Sequence, residues 1–201
     1  QVAVQITRCL AKAIDYDLTK GHELAKLLMQ RNELMVRRAM ADVLTRLFRR
    51  LGDDALPFYY QLRDDSDSDI LAAVSTTSAD LRFLDVDMWA ENLVELSNHE
   101  LPVVRRNLVP SLREYFETFP DDTRKLLPVM WQDGDEVVRT RMRELLIKMS
   151  DISSTQFGAR ITDLNQHGCD LSALWRLMDA RRKGSSLSLI HISEPTRPSS
   201  I

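Results

Sequence analysis

The side chains best suited to chemistry in this 201-residue chain are its arginines. Arg37, Arg105 and Arg139 each follow a valine, in Val36-Arg37, Val104-Arg105 and Val138-Arg139. A second set stands just beyond them: Arg38, Arg106, Arg141 and Arg143. A guanidinium is a planar fork of donors that grips phosphate or carboxylate in bidentate fashion. A row of them along one face could hold nucleic-acid phosphates or an acidic peptide. Arg38, Arg106, Arg141 and Arg143 are therefore the candidate binding residues. A solvated face interspersed with Asp42, Glu114 and Glu144 accounts for the same residues without a ligand. The first set reads differently. Carboxylates recur three residues before the same valines or their counterpart, at Glu33, Asp67 and Asp135, so Arg37, Arg105 and Arg139 are expected to brace a structure.

Other chemistry is sparse. The run Asp64-Asp65-Ser66-Asp67-Ser68-Asp69 alternates carboxylates in the manner of a calcium loop. Counted from Asp65, however, the sixth position is Ile70 rather than Gly and the twelfth is Thr76 rather than Glu, so an acidic solvated turn is expected. His22, His99 and His167 have no His or Cys partner at ligand spacing, and no metal or cofactor is expected. No Ser-His-Asp or Cys-His grouping and no glycine-rich phosphate loop is readable. Cys9 falls on an apolar face and is expected in the core, Cys169 in a turn; Trp89, Trp131 and Trp175 read as core. Two distant cysteines fit a reducing, cytoplasmic setting.

The elements that must position the arginines are helices. The phrase Val-Val-Arg occurs at Val103-Val104-Arg105 and again, 34 residues later, at Val137-Val138-Arg139. Stepping by this period gives Val2, Val36, Ile70, Val104 and Val138. Four residues on stand Ile6, Met40, Val74, Leu108 and Met142; eight on stand Leu10, Leu44, Ser78, Leu112 and Leu146. Eight before stand Leu28, Leu62, Leu96 and Met130, and eleven before stand Ala25, Tyr59, Leu93 and Leu127. These are helix-face spacings, so each unit holds two amphipathic helices. Self-similarity at this period indicates stacked repeats. The expected pairs are 21–31 with 34–51, 55–63 with 68–83, 86–97 with 101–119, 122–132 with 136–150, and 154–166 with 170–183, preceded by a lone second helix at 2–16. The third unit is degenerate: Ser75-Thr76-Thr77-Ser78 replaces its apolar face, so that helix should pack poorly or bend, with the lowest local stability around 64–80. Pro110 and Pro128 fall inside helices and should kink or restart them.

Composition agrees with a folded helical chain: 44% hydrophobic, 28% charged, with six Gly and seven Pro. A formal net charge of −3 argues against a general polyanion binder, although a local basic face is compatible with it. No apolar run is long enough to cross a bilayer. The stretch Leu187-Ser188-Leu189-Ile190-His191-Ile192-Ser193-Glu194-Pro195-Thr196-Arg197 resembles the translation of a sequencing-library adapter. Residues 184–201 are expected as a disordered tail outside the folded domain, and the chain as a fragment.

An acidic turn followed by Val-Arg at the start of a second helix resembles the HEAT repeat. The clearest copies are Glu33-Leu34-Met35-Val36-Arg37-Arg38, Glu100-Leu101-Pro102-Val103-Val104-Arg105-Arg106 and Asp135-Glu136-Val137-Val138-Arg139. The resemblance implies an all-α, right-handed α-solenoid of about five to six stacked helix pairs over residues 1–183. The HEAT motif describes a fold and does not select a function; the long curved surface of such a solenoid suits a non-catalytic scaffold whose concave second-helix face holds a macromolecular partner, a protein before a nucleic acid. Residues 100–139 also resemble HEAT-like DNA alkylation repair glycosylases, which keeps a nucleic-acid enzyme as the alternative.

Overall fold

The computed structural model describes the backbone of residues 1–192 and the side chains of residues 1–183. Every element is helical, with no strand among the described residues. The helices are α1 (Val2–Tyr16), α2 (Leu18–Met29), α3 (Leu34–Leu51), α4 (Leu56–Arg63), α5 (Ser68–Thr77), α6 (Val86–Ser97), α7 (Pro102–Thr118), α8 (Pro120–Trp131), α9 (Glu136–Ile152), α10 (Ser154–Gln166) and α11 (Ser172–Ile192). Short 3₁₀ turns, Gly52–Ala55 and Ser78–Phe83, precede α4 and α6. The last helix continues past Lys183, where the sequence pattern has it end. The rest of the expected tail, 193–201, lies outside the described residues.

Starts are set by side chains that accept orphan backbone N–H groups. Asp17, Asp67, Asp85, Asp135 and Ser153 cap α2, α5, α6, α9 and α10 in this way. The start of α8 is built differently. Neither Asp121 nor Asp122 caps it; Pro120 opens the helix, and the Thr123 hydroxyl donates to the Phe119 carbonyl at 2.8 Å.

The core follows the 34-residue step. Val36, Ile70, Val104 and Val138 are buried, as are the residues four and eight beyond them, Ser78 included. Tyr59, Leu93 and Leu127 have no exposed surface. The exceptions are at the first helix, where Val2 and Ile6 are exposed. The odd-numbered helices pack on one another in succession, α1 on α3, α3 on α5, α5 on α7, α7 on α9 and α9 on α11. Among the described residues, close packing between the even-numbered helices is confined to α6 with α8 and α8 with α10.

The degenerate third unit bends rather than packing poorly. The hydroxyls of Ser75, Thr76 and Thr77 donate to the carbonyls of Ala72 and Ala73, and that of Ser78 donates to Ser75. Such back-bonding competes with the helical ladder. The chain responds by tightening into a 3₁₀ turn after Thr77. Pro110 and Pro128, by contrast, sit inside α7 and α8 without ending either helix. Two further expectations reverse: Cys9 is exposed, and Trp175 is exposed rather than in the core, whereas Cys169 lies in the turn between α10 and α11 as expected and is buried there. The Trp131 indole donates to the Asp170 carbonyl at 3.1 Å, tying α8 to the start of α11.

Candidate binding surfaces

Arg37 and Arg38 leave the first turn of α3 and meet the acidic turn before α5. Arg37 Nε donates to Asp65 at 2.7 Å, and Arg38 grips Asp67 with two bonds of 3.0 and 2.7 Å. Asp67 is also the cap of α5, accepting from the Asp69 and Ile70 amides, and Asp65 accepts from the Asp67 amide at 2.9 Å. Twice the period further on, the arrangement recurs. Arg105 grips Asp133 at 2.7 and 2.9 Å, and Arg106 grips Asp135, the cap of α9. Asp133 accepts from the Asp135 amide at 2.8 Å. Each clamp therefore locks one second helix to the turn that starts the next.

The electrostatics match this geometry. The Arg106 hydrogen bonds hold the Asp135 carboxyl far below its usual range, helped by the Val138 amide. The Arg38 hydrogen bonds also lower Asp67. Burial pushes Asp133 up, but Arg105 and the Asp135 amide outweigh it and leave the carboxyl low. The expected solvated turn at 64–69 is thus corrected: the Asp65 side chain is 8% exposed, and both Asp65 and Asp67 are ion-paired.

Each of the four candidate binding residues, Arg38, Arg106, Arg141 and Arg143, has a partner within the chain. Arg38 and Arg106 belong to the clamps. Arg141 Nη1 donates to the Arg106 carbonyl at 2.7 Å. That carbonyl would bond the amide four residues on, which is Pro110 and has none. Arg141 supplies the missing donor, which accounts for a proline tolerated in mid-helix. Arg143 Nη1 bonds Glu136 at 3.0 Å on its own helix. Arg139, expected as a third rung between units, also turns to Glu136 and to the Asp133 carbonyl.

The clamps alternate. One period after Arg37 and Arg38 stand Leu71 and Ala72, and one period after Asp65 and Asp67 stand His99 and Leu101. The His99 ring accepts from the Leu101 amide at 3.1 Å, and among the described residues no arginine bonds that ring, although Arg105 donates to the His99 carbonyl. After Asp133 and Asp135 come His167 and Cys169. His167 pairs with the Asp163 carbonyl at 2.8 Å, and the Cys169 sulfur accepts from Gln132 at 3.4 Å. The clamped interface therefore repeats at twice the sequence period.

Three surfaces remain. One exposed residue at the same offset on each of the first five odd-numbered helices gives Arg8, Asp42, Thr76, Pro110 and Glu144. Beside the first of these, Arg8, Lys12, Arg46 and Arg49 are exposed on α1 and α3 and make no ion pair among the described residues. On the even-numbered side, a groove of about 560 Å³ opens between α6 and α8. Ala90, Val94, Leu126 and Val129 line it, with Tyr115 at its floor. Sequence reasoning missed this groove, because its valines read as ordinary members of an amphipathic helix. Among the described residues, no group of three or more His, Cys, Asp or Glu side chains is placed to hold a metal ion, and no helix is long and apolar enough to cross a membrane. No family model and no curated protein matches the chain.

Proposed function

We propose that the chain is a right-handed α-solenoid of the HEAT type, about five to six stacked helix pairs, serving as a non-catalytic module that binds a protein partner on its second-helix face. The observation that carries this reading is the unbroken succession of second helices, α1, α3, α5, α7, α9 and α11, each packed on the next. The first helices are less closely apposed, which is the packing of a curved stack with its second helices on the concave side. That side presents mixed chemistry, Arg8, Asp42, Thr76, Pro110 and Glu144, which suits a protein surface better than a polyanion. The engagement of Arg38, Arg106 and Arg143 with carboxylates points the same way. The free cysteines suit a reducing, cytoplasmic setting.

Photo-crosslinking residues placed at Thr76 and Glu144 test the reading. Discrete protein adducts in a native lysate are expected; adducts to nucleic acid alone, or none at all, contradict it. The second reading, a nucleic-acid binder of the alkylation-repair type, draws on Arg8, Lys12, Arg46 and Arg49. It requires duplex DNA binding that weakens with salt by about one log–log unit per phosphate contact. It also requires loss of that binding when Arg46 and Arg49 are replaced.

A further inference from the structure

The geometry points to the groove between α6 and α8 as a docking site for an amphipathic helical segment of a partner protein, one whose apolar ridge is flanked by lysine or arginine. This site is separate from the second-helix face and does not depend on it.

On α6 and its C-terminal cap the groove is lined by Ala90, Glu91, Val94, Glu95 and Asn98, and on α8 by Asp122, Lys125, Leu126 and Val129. Each set is one helical face, so two parallel ridges enclose the space. Along α6 the lining runs about 12 Å at the helical rise, room for two turns of a third helix. Such a helix would seat side chains at i, i+4 and i+7. Val94 and Val129 are 41% and 50% exposed on opposite walls, apolar surface that nothing among the described residues covers. Tyr115 is 1% exposed, and its hydroxyl makes no hydrogen bond among the described residues, leaving a polar handle on an apolar floor.

Charge selects the occupant. Glu91, Glu95 and Asp122 stand on the rim; Lys125 lies 3.9 Å from Asp122, and Arg63 pairs with Glu95 at 2.7 Å. Glu91 has no ion pair among the described residues. An apolar ridge flanked by basic residues complements this rim, and an acidic one is repelled.

The test uses two labelled synthetic helical peptides with leucines at i, i+4 and i+7, one flanked by lysines and the other by glutamates. The lysine peptide should bind the whole chain about tenfold more tightly than the glutamate peptide. Val129→Glu, a change at an exposed position, should weaken it by about tenfold again with the circular dichroism melt unchanged. Glu91→Lys combined with Asp122→Lys gives a second variant, expected to reverse the preference between the peptides. The proposal is overturned if the lysine peptide does not bind, if both peptides bind equally, or if binding ignores Val129→Glu and the charge reversal. Concentration-dependent self-association that Val129→Glu abolishes would also overturn it, by making a second copy of the chain the occupant.

Discussion

At the scale of single residues, the arginines show how far type and spacing carry. Their recurrence with turn carboxylates was legible, and so was a bracing role for Arg37 and Arg105, though Arg139 turns to Glu136 on its own helix. The partners were not, because Arg38 and Arg106 reach carboxylates 29 residues ahead, across a unit boundary that a helical periodicity does not describe. Arg105 and Asp133 are 14% and 5% exposed. Replacing Arg105 with Met leaves that carboxylate without its counter-ion and should lower stability by about 1–3 kcal/mol, read as a urea midpoint. Adding Asp133→Leu should recover part of the loss, since a buried pair replaced by apolar groups is often neutral. Arg141 supports a sharper test. If it supplies the donor that Pro110 lacks, Arg141→Met should destabilise the parent but much less the Pro110→Ala background. The expected coupling in the double-mutant cycle is about 0.5–1 kcal/mol; additive effects would refute the assignment.

At the scale of elements, the apolar step of 34 was legible along most of the chain because burial follows it directly. It failed at α1, where Val2 and Ile6 are exposed. It also missed the close approach of α1 and α2. A Cβ on Gly21 would lie 2.6 Å from the Ile14 Cα and 2.8 Å from its backbone nitrogen, so this helical glycine exists to let two backbones touch. Gly21→Ala should lower the melting temperature markedly. Gly158→Ala, in α10 with open space around it, should instead raise stability by about 0.5–1 kcal/mol. Caps differ in the same graded way. Asp85 only caps α6, and its replacement by Ala should lower stability by about 1 kcal/mol. Asp135 caps α9 and also receives Arg106, so its replacement should lower stability further.

At the scale of the whole molecule, the clamps make stability depend on acid in a defined direction. Asp65, Asp67, Asp133 and Asp135 are all held below the usual carboxylate value of 3.8. Their folded-state values are depressed, so the stabilisation is present above the unfolded value and lost as pH falls through the folded ones. Stability should hold down to roughly pH 5, begin to fall near pH 4 and keep falling below it. Arg38→Gln together with Arg106→Gln should flatten that fall. The same double variant tests the central claim, that these arginines belong to the stack and not to a ligand surface. Its urea unfolding midpoint and its affinity for labelled duplex DNA at low salt, both compared with the parent, decide the matter. A lowered midpoint with unchanged DNA affinity is the predicted result, and an unchanged midpoint with DNA binding lost would contradict it.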